Sequence, residues 1–119
     1  MNSNDARGCL ETKWRDYLKE RGHRVSQEAY PFLVLTSRDG TGRRYRWLLV
    51  AAEGSKVRLS QSCRTGIQYH LRQAKAQKET AYLVAGFLPE PRRIVVVPAG
   101  AALQAKCIRS DKGGIAWDD

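Results

Sequence analysis

Leu10, Trp14, Tyr17 and Leu18 recur at i, i+4, i+7 and i+8, the spacing that aligns one side of an α-helix, with polar residues between them. This predicts a helix over residues 5–22. Ser3, Asn4 or Asp5 can cap its start, and Gly22 suits the left-handed residue that stops it. Glu11 and Arg15, four apart, can pair on its surface. Beyond Gly22 the pattern changes to the β-branched and aromatic runs of strands. Residues 30–36 form one, with Pro31 marking an edge or a strand start. Residues 43–53 form a second, after the hairpin signal Asp39-Gly40. Residues 56–60 form a short third, in which Val57 and Leu59 share a face.

A second amphipathic helix covers residues 65–78, with Ile67, His70, Leu71 and Ala74 on one face. Strands at 81–87 and 92–97 follow. Residues 94–97 are a continuous β-branched run of the kind covered on both faces. Residues 99–107 read as a short helix behind Pro98. The order α-β-β-β-α-β-β-α predicts a single α/β domain over residues 1–119, with a mixed β-sheet flanked by helices. Hairpins join the early strands antiparallel. A later strand reached through a helix permits a parallel crossover.

Composition narrows the class. With 42% hydrophobic and 28% charged residues the chain matches ordinary globular proteins. No run approaches the roughly 20 apolar residues that cross a bilayer, so no membrane partner is expected. The first residues lack the apolar core of a signal peptide. Cys9, Cys63 and Cys107 are odd in number, widely spaced and outside any CxxC or CxxH pair, which predicts reduced thiols, a cytoplasmic setting and no structural zinc.

Charge changes the picture most. The net charge is +9, and arginine supplies fourteen of the 21 basic residues. Such a chain attracts polyanions, and the planar guanidinium grips phosphate as a fork. Nucleic acid is the expected partner. The alternatives are an acidic protein partner, or charge that serves solubility alone. Arg43, Arg44 and Arg46 surround Tyr45 and Trp47. From position 56 to 78 there are six basic residues, Lys56, Arg58, Arg64, Arg72, Lys75 and Lys78, and no acid. Gln68, Gln73 and Gln77 add amides able to contact phosphates, sugars or base edges. Residues 60–66, small and polar, open into a helix whose first amides could hold a phosphate. The surface predicted is the third strand, its loop and the second helix. The alternative is a solvated helix face with a positive bias.

Catalytic patterns are sparse. Cys63 and His70 lie about 10 Å apart along a helix and should not meet, and His70 on an apolar face reads as a buried, hydrogen-bonded histidine. The acids are scattered, and no central strand carries one at its middle, which argues against a preformed Mg²⁺ site.

In order and texture the chain resembles the PD-(D/E)XK nuclease superfamily, with its αβββαβ restriction-endonuclease-like core, most closely the Holliday-junction-resolvase and intron-homing-endonuclease branches. The resemblance runs over about residues 8–105. It rests on LETKWRDYLKERGHRV with Glu11, RYRWLLV, KVRLSQS, GIQYHLRQAK, YLVAGF and RIVVVPAG. The family's metal-binding Asp on the second strand is replaced here by Arg46 or Trp47. Its third-strand Glu-x-Lys is replaced by Arg58 and Ser60. Of the acidic set only Glu11 survives. The resemblance implies DNA contact through Arg58, Arg64, Gln68, Arg72 and Lys75, and homodimers are common in the family. The function expected is non-catalytic nucleic-acid binding, with DNA as the partner and no cofactor. One alternative is an active Mg²⁺-dependent endonuclease using acids drawn from Glu11, Glu28, Asp39 and Glu53. Another is an interaction or inhibitor subunit of a larger nucleoprotein complex.

Overall fold

The computed structural model describes residues 3–29, 33–53, 56–88, 93–104, 107–109 and 115–116. Its first helix, α1 (Ser3–Glu20), buries Leu10, Trp14 and Leu18 to 2% exposure or less, as their spacing requires. It stops at Gly22 (φ 81°). There the Gly22 amide donates to the Lys19 carbonyl and the His23 amide to that of Leu18, the paired bonds of a Schellman stop.

The chain becomes a strand sooner than its apolar pattern predicts. β1 (Arg24–Ala29), β2 (Leu33–Arg38) and β3 (Arg44–Glu53) form an antiparallel meander. Then come β4 (Lys56–Arg58), α2 (Gln61–Gln77), β5 (Glu79–Leu88), β6 (Arg93–Pro98), α3 (Ala99–Gln104), β7 (Cys107–Arg109) and β8 (Ile115–Ala116). The main sheet is mixed, in the order β1-β2-β3-β5-β6-β8. β3 and β5 run parallel through the α2 crossover, and the other neighbours are antiparallel.

Several sequence expectations are corrected, among them the helix expected over 99–107, which ends at Gln104, with Cys107 starting β7. The meander begins at β1, an edge strand whose RVSQEA lacks an apolar period. β4 leaves the sheet and pairs antiparallel with β7, so residues 56–60 are not the meander's third strand. α2 starts at Gln61, one turn early, because the Ser60 hydroxyl accepts the Cys63 amide at 3.2 Å. The loop expected at 60–66 is therefore mostly helix.

Alternation along the strands splits the core in two. On one face Leu35, Trp47, Leu49, Val84 and Ile94 pack under Leu10, Trp14 and Leu18 of α1. On the other, Val34, Leu48, Val50, Leu83 and Val95 pack under Ile67 and Ala74 of α2 and Ala99 and Ala102 of α3. At Gly86 the first layer closes tightly, since an added Cβ would lie 3.0 Å from Leu10 Cδ1. Val96 and Val97 are only half-buried, so β6 is less covered than its β-branched run predicts.

The second layer holds a polar knot. Arg46 is 1% exposed, and its Nε donates to Glu79 Oε1 at 2.8 Å. Its Nη1 lies 2.9 Å from His70 Nδ1. A guanidinium only donates, so Nδ1 accepts and the ring hydrogen sits on Nε2. His70 is thus the buried, bonded histidine its helix face implies. Glu79→Leu should cost about 3–5 kcal/mol in urea denaturation, because it strands a buried guanidinium. The double change Arg46→Met with Glu79→Leu should cost less than Glu79→Leu alone, because it leaves no buried charge without its counter-charge.

Candidate functional site

Register brings together arginines that are far apart in sequence. Arg24 on β1 lies opposite Arg38 on β2, and Arg38 lies opposite Arg44 on β3. Cross-strand partners share a face, so the three form one row. All three are exposed, and they line a groove of about 550 Å³ at the end of the sheet where β3 begins. Ser26 and Thr36, the next partners along β1 and β2, line the same groove with hydroxyls.

Like charges directly opposite one another destabilise a sheet. Arg15–Glu11 and Arg46–Glu79 are ion pairs of the described residues, and among the described residues none of the three row arginines is paired with a carboxylate. Two acids lie close to it, and each is engaged. Glu79, next in register after Arg44, is held by Arg46. The Asp39 carboxylate organises the β2–β3 turn. It accepts the Thr41 hydroxyl at 2.6 Å, the Tyr45 hydroxyl at 2.9 Å, and the amides of Thr41 and Arg43 at 2.9 and 3.0 Å. These bonds, that of the Thr41 hydroxyl foremost, hold its pKa down at about 2. The same hydrogen bond to Asp39 pushes the Tyr45 hydroxyl above its ordinary range.

A second groove of about 590 Å³ shares Arg44 with the first and adds Arg43, Gln77 and Lys78. Lys78 closes α2 in the left-handed conformation (φ 57°). Gln68, Arg72 and Lys75 are exposed at i, i+4 and i+7, one stripe along α2 that leads toward Lys78.

The residues expected to bind nucleic acid therefore divide. Arg43 and Arg44 line the grooves, and Gln68, Arg72 and Lys75 face solvent on α2. Arg46 is removed from the set, because its guanidinium is buried against Glu79 and His70. Arg64 is half-buried and donates to the Leu103 carbonyl at 2.6 Å, tying α2 to α3. The side chains of Lys56 and Arg58 lie outside the described residues. Arg24, Arg38 and Lys78 are gained. Lys78 was visible as one of the bases between 56 and 78, whereas Arg24 and Arg38 join the site only through strand register.

Among the described residues the carboxylates do not converge. Glu11 is paired with Arg15 at 2.7 Å, as its spacing predicts. Asp39 sits before β3 and Glu53 ends it, about 30 Å away along the strand. The side chains of Glu28 and Glu53 lie outside the described residues. Among the described residues no three His, Cys, Asp or Glu side chains are grouped to hold a metal ion. No described helix is long and apolar enough to cross a membrane.

On the α1 face of the same sheet end lies an aromatic cluster. Trp47 stacks with Tyr45 (5.4 Å between centroids) and with Tyr82 (5.1 Å). The Ser37 hydroxyl accepts from Trp47 Nε1 at 2.9 Å and lies 2.9 Å from His23 Nδ1. Trp14 meets Trp47 edge-on at 5.3 Å, and its buried indole N–H has no hydrogen-bond partner among the described residues.

No family model, curated protein or solved structure matches this chain.

The turn chemistry is testable by pH. A lowered carboxylate pKa adds stability above the ordinary value of 3.8, and that stability is lost as pH falls through about 2. Asp39→Asn should lower the melting temperature at pH 6, and the difference from the native chain should close as the pH approaches 2.

Proposed function

We propose that this protein is a non-catalytic nucleic-acid-binding domain, with DNA as its expected partner, that holds backbone phosphates along Arg24, Arg38 and Arg44. The arginine row carries the proposal. Three exposed guanidinium groups in register repel one another and gain nothing from the fold. A chain of phosphates reverses the sign of that interaction, and each planar fork can bind two phosphate oxygens. The net charge of +9 adds long-range attraction to a polyanion. Arg43 and Lys78 extend the positive surface across the second groove, and Arg72 and Lys75 extend it along α2.

The order α1, three-strand meander, α2, parallel strand supports the resemblance to the PD-(D/E)XK nucleases. On this order the second and third strands are β2 and β3, not residues 43–53 and 56–60. The family's Asp then belongs on β2, whose LVLTSR has no carboxylate. Its Glu-x-Lys belongs on β3, whose one acid, Glu53, is the last residue. This favours a nuclease-like frame that binds without cutting. The free thiol of Cys9 fits a cytoplasmic setting. A homodimer or a nucleoprotein assembly belongs to the same proposal, since a second copy doubles the phosphate contacts.

Binding to labelled DNA should weaken with salt, with a log–log slope near −5 for about six phosphate contacts on duplex. Replacing Arg24, Arg38 and Arg44 together with Ala should flatten that slope by about 0.9 per arginine. The melting temperature should hold or rise, because mutual repulsion is removed. Unchanged affinity and slope in the triple variant would refute the assignment, as would strands cut by the native protein in Mg²⁺.

A further inference from the structure

The end of the sheet that carries the arginine row also carries, on its opposite face, a third groove of about 310 Å³. Half-buried rings of Tyr17, His23, Tyr45 and Tyr82 line it. Tyr45 and Tyr82 each stack on Trp47, within 22° and 19° of its plane, and lie 6.5 Å apart at a tilt of 32° to each other, so the groove is walled by ring surfaces. Arg21 stands at the rim, its guanidinium stacked 3.5 Å over the Tyr17 ring. Tyr45 and Tyr82 also line the second groove beside Arg43 and Lys78, so the aromatic groove is continuous with the basic surface.

We infer that this groove takes an unpaired nucleobase of a single strand whose phosphates lie on the arginine row and along Arg43 and Lys78. The inference rests on the nucleic-acid reading above and names its substrate class. A groove lined by aromatic rings suits stacking, which tolerates every base because each has a π-face. The rim is cationic, so the occupant's flanks are anionic. A greasy or cationic ligand matches only half of the site. Geometry then selects the single strand. Arg44 and Tyr45 are neighbours on β3 and face opposite sides of the sheet. A strand that meets both must wrap around the sheet's end within a few nucleotides. Duplex DNA, with a persistence length of about 150 bp, resists such a turn. A single strand makes it freely.

Anisotropy with labelled single-stranded, abasic and duplex DNA tests this on the native chain. Intact single strands should bind about tenfold or more tighter than strands of the same length and charge carrying abasic sites, with the same salt slope. Tyr82→Leu, which keeps apolar volume and removes the ring, should erase that difference and leave duplex binding unchanged. Arg21→Ala, an exposed change, should narrow it if the leucine variant does not fold. Equal affinity for intact and abasic strands would overturn the base site while leaving the phosphate row standing. Binding of polyglutamate in competition, with no preference for bases, would overturn it too. Failure of the native chain to bind any nucleic acid would remove the underlying proposal instead.

Discussion

The Arg46–Glu79 pair is the contact on which the two halves of the molecule depend. It forms where β3 and β5 begin to run side by side, and His70 joins it from α2. Inward of the pair the strands are apolar on this face, with Leu48, Val50, Leu83 and Ala85. Apolar surfaces do not fix register strongly, since a two-residue slip keeps the same face inward. Such a slip moves Glu79 by about 7 Å and leaves a buried guanidinium without its carboxylate. The pair therefore adds specificity more than net stability. It sets the parallel register, and the crossover helix docks against it.

That interior choice shapes the surface. Glu79 is the next partner after Arg44, so it stands at the end of the arginine row. With its carboxylate given to Arg46, it cannot neutralise the exposed arginines. Asp39, the other acid beside the groove, is given over to the turn that starts β3. Both acids near the row are spent on holding the backbone that carries it. The positive potential at this end follows from the fold's own requirements and from the absence of any acid between residues 56 and 78.

Much of the frame was legible. The α1 stripe, the Gly22 stop, the Asp39-Gly40 turn and the mixed α/β sheet follow from local periodicity and turn chemistry. β1 was not legible, because an edge strand with Val25 alone among polar neighbours has no alternation to detect. β4 misled for a different reason. Its partner β7 lies about fifty residues downstream, and no local pattern records that. Arg44 and Arg46 look equivalent in the sequence and share a face of β3. One is exposed and the other buried because α2 and Glu79 close over only the second. The site was legible as an excess of charge and not as a place. Its central members, Arg24 and Arg38, meet Arg44 only through a register that begins with the unseen strand.

The five residues Arg43, Arg44, Tyr45, Arg46 and Trp47 compress the design into one strand end. Alternation sends Arg44 and Arg46 to the α2 face, and Tyr45 and Trp47 to the α1 face. The even positions supply one exposed guanidinium for the row and one buried guanidinium for the core. The odd positions supply two of the rings that line the aromatic groove, fixed by Asp39 at Tyr45 and by Ser37 at Trp47. Moving this segment by one residue would exchange the faces, burying the exposed arginine and pointing the rings into the α2 core. The same register that satisfies Arg46 therefore separates phosphate-binding from stacking groups, on opposite sides of a single sheet edge. A ligand that engages both sides has to be flexible, anionic along its length and aromatic at intervals.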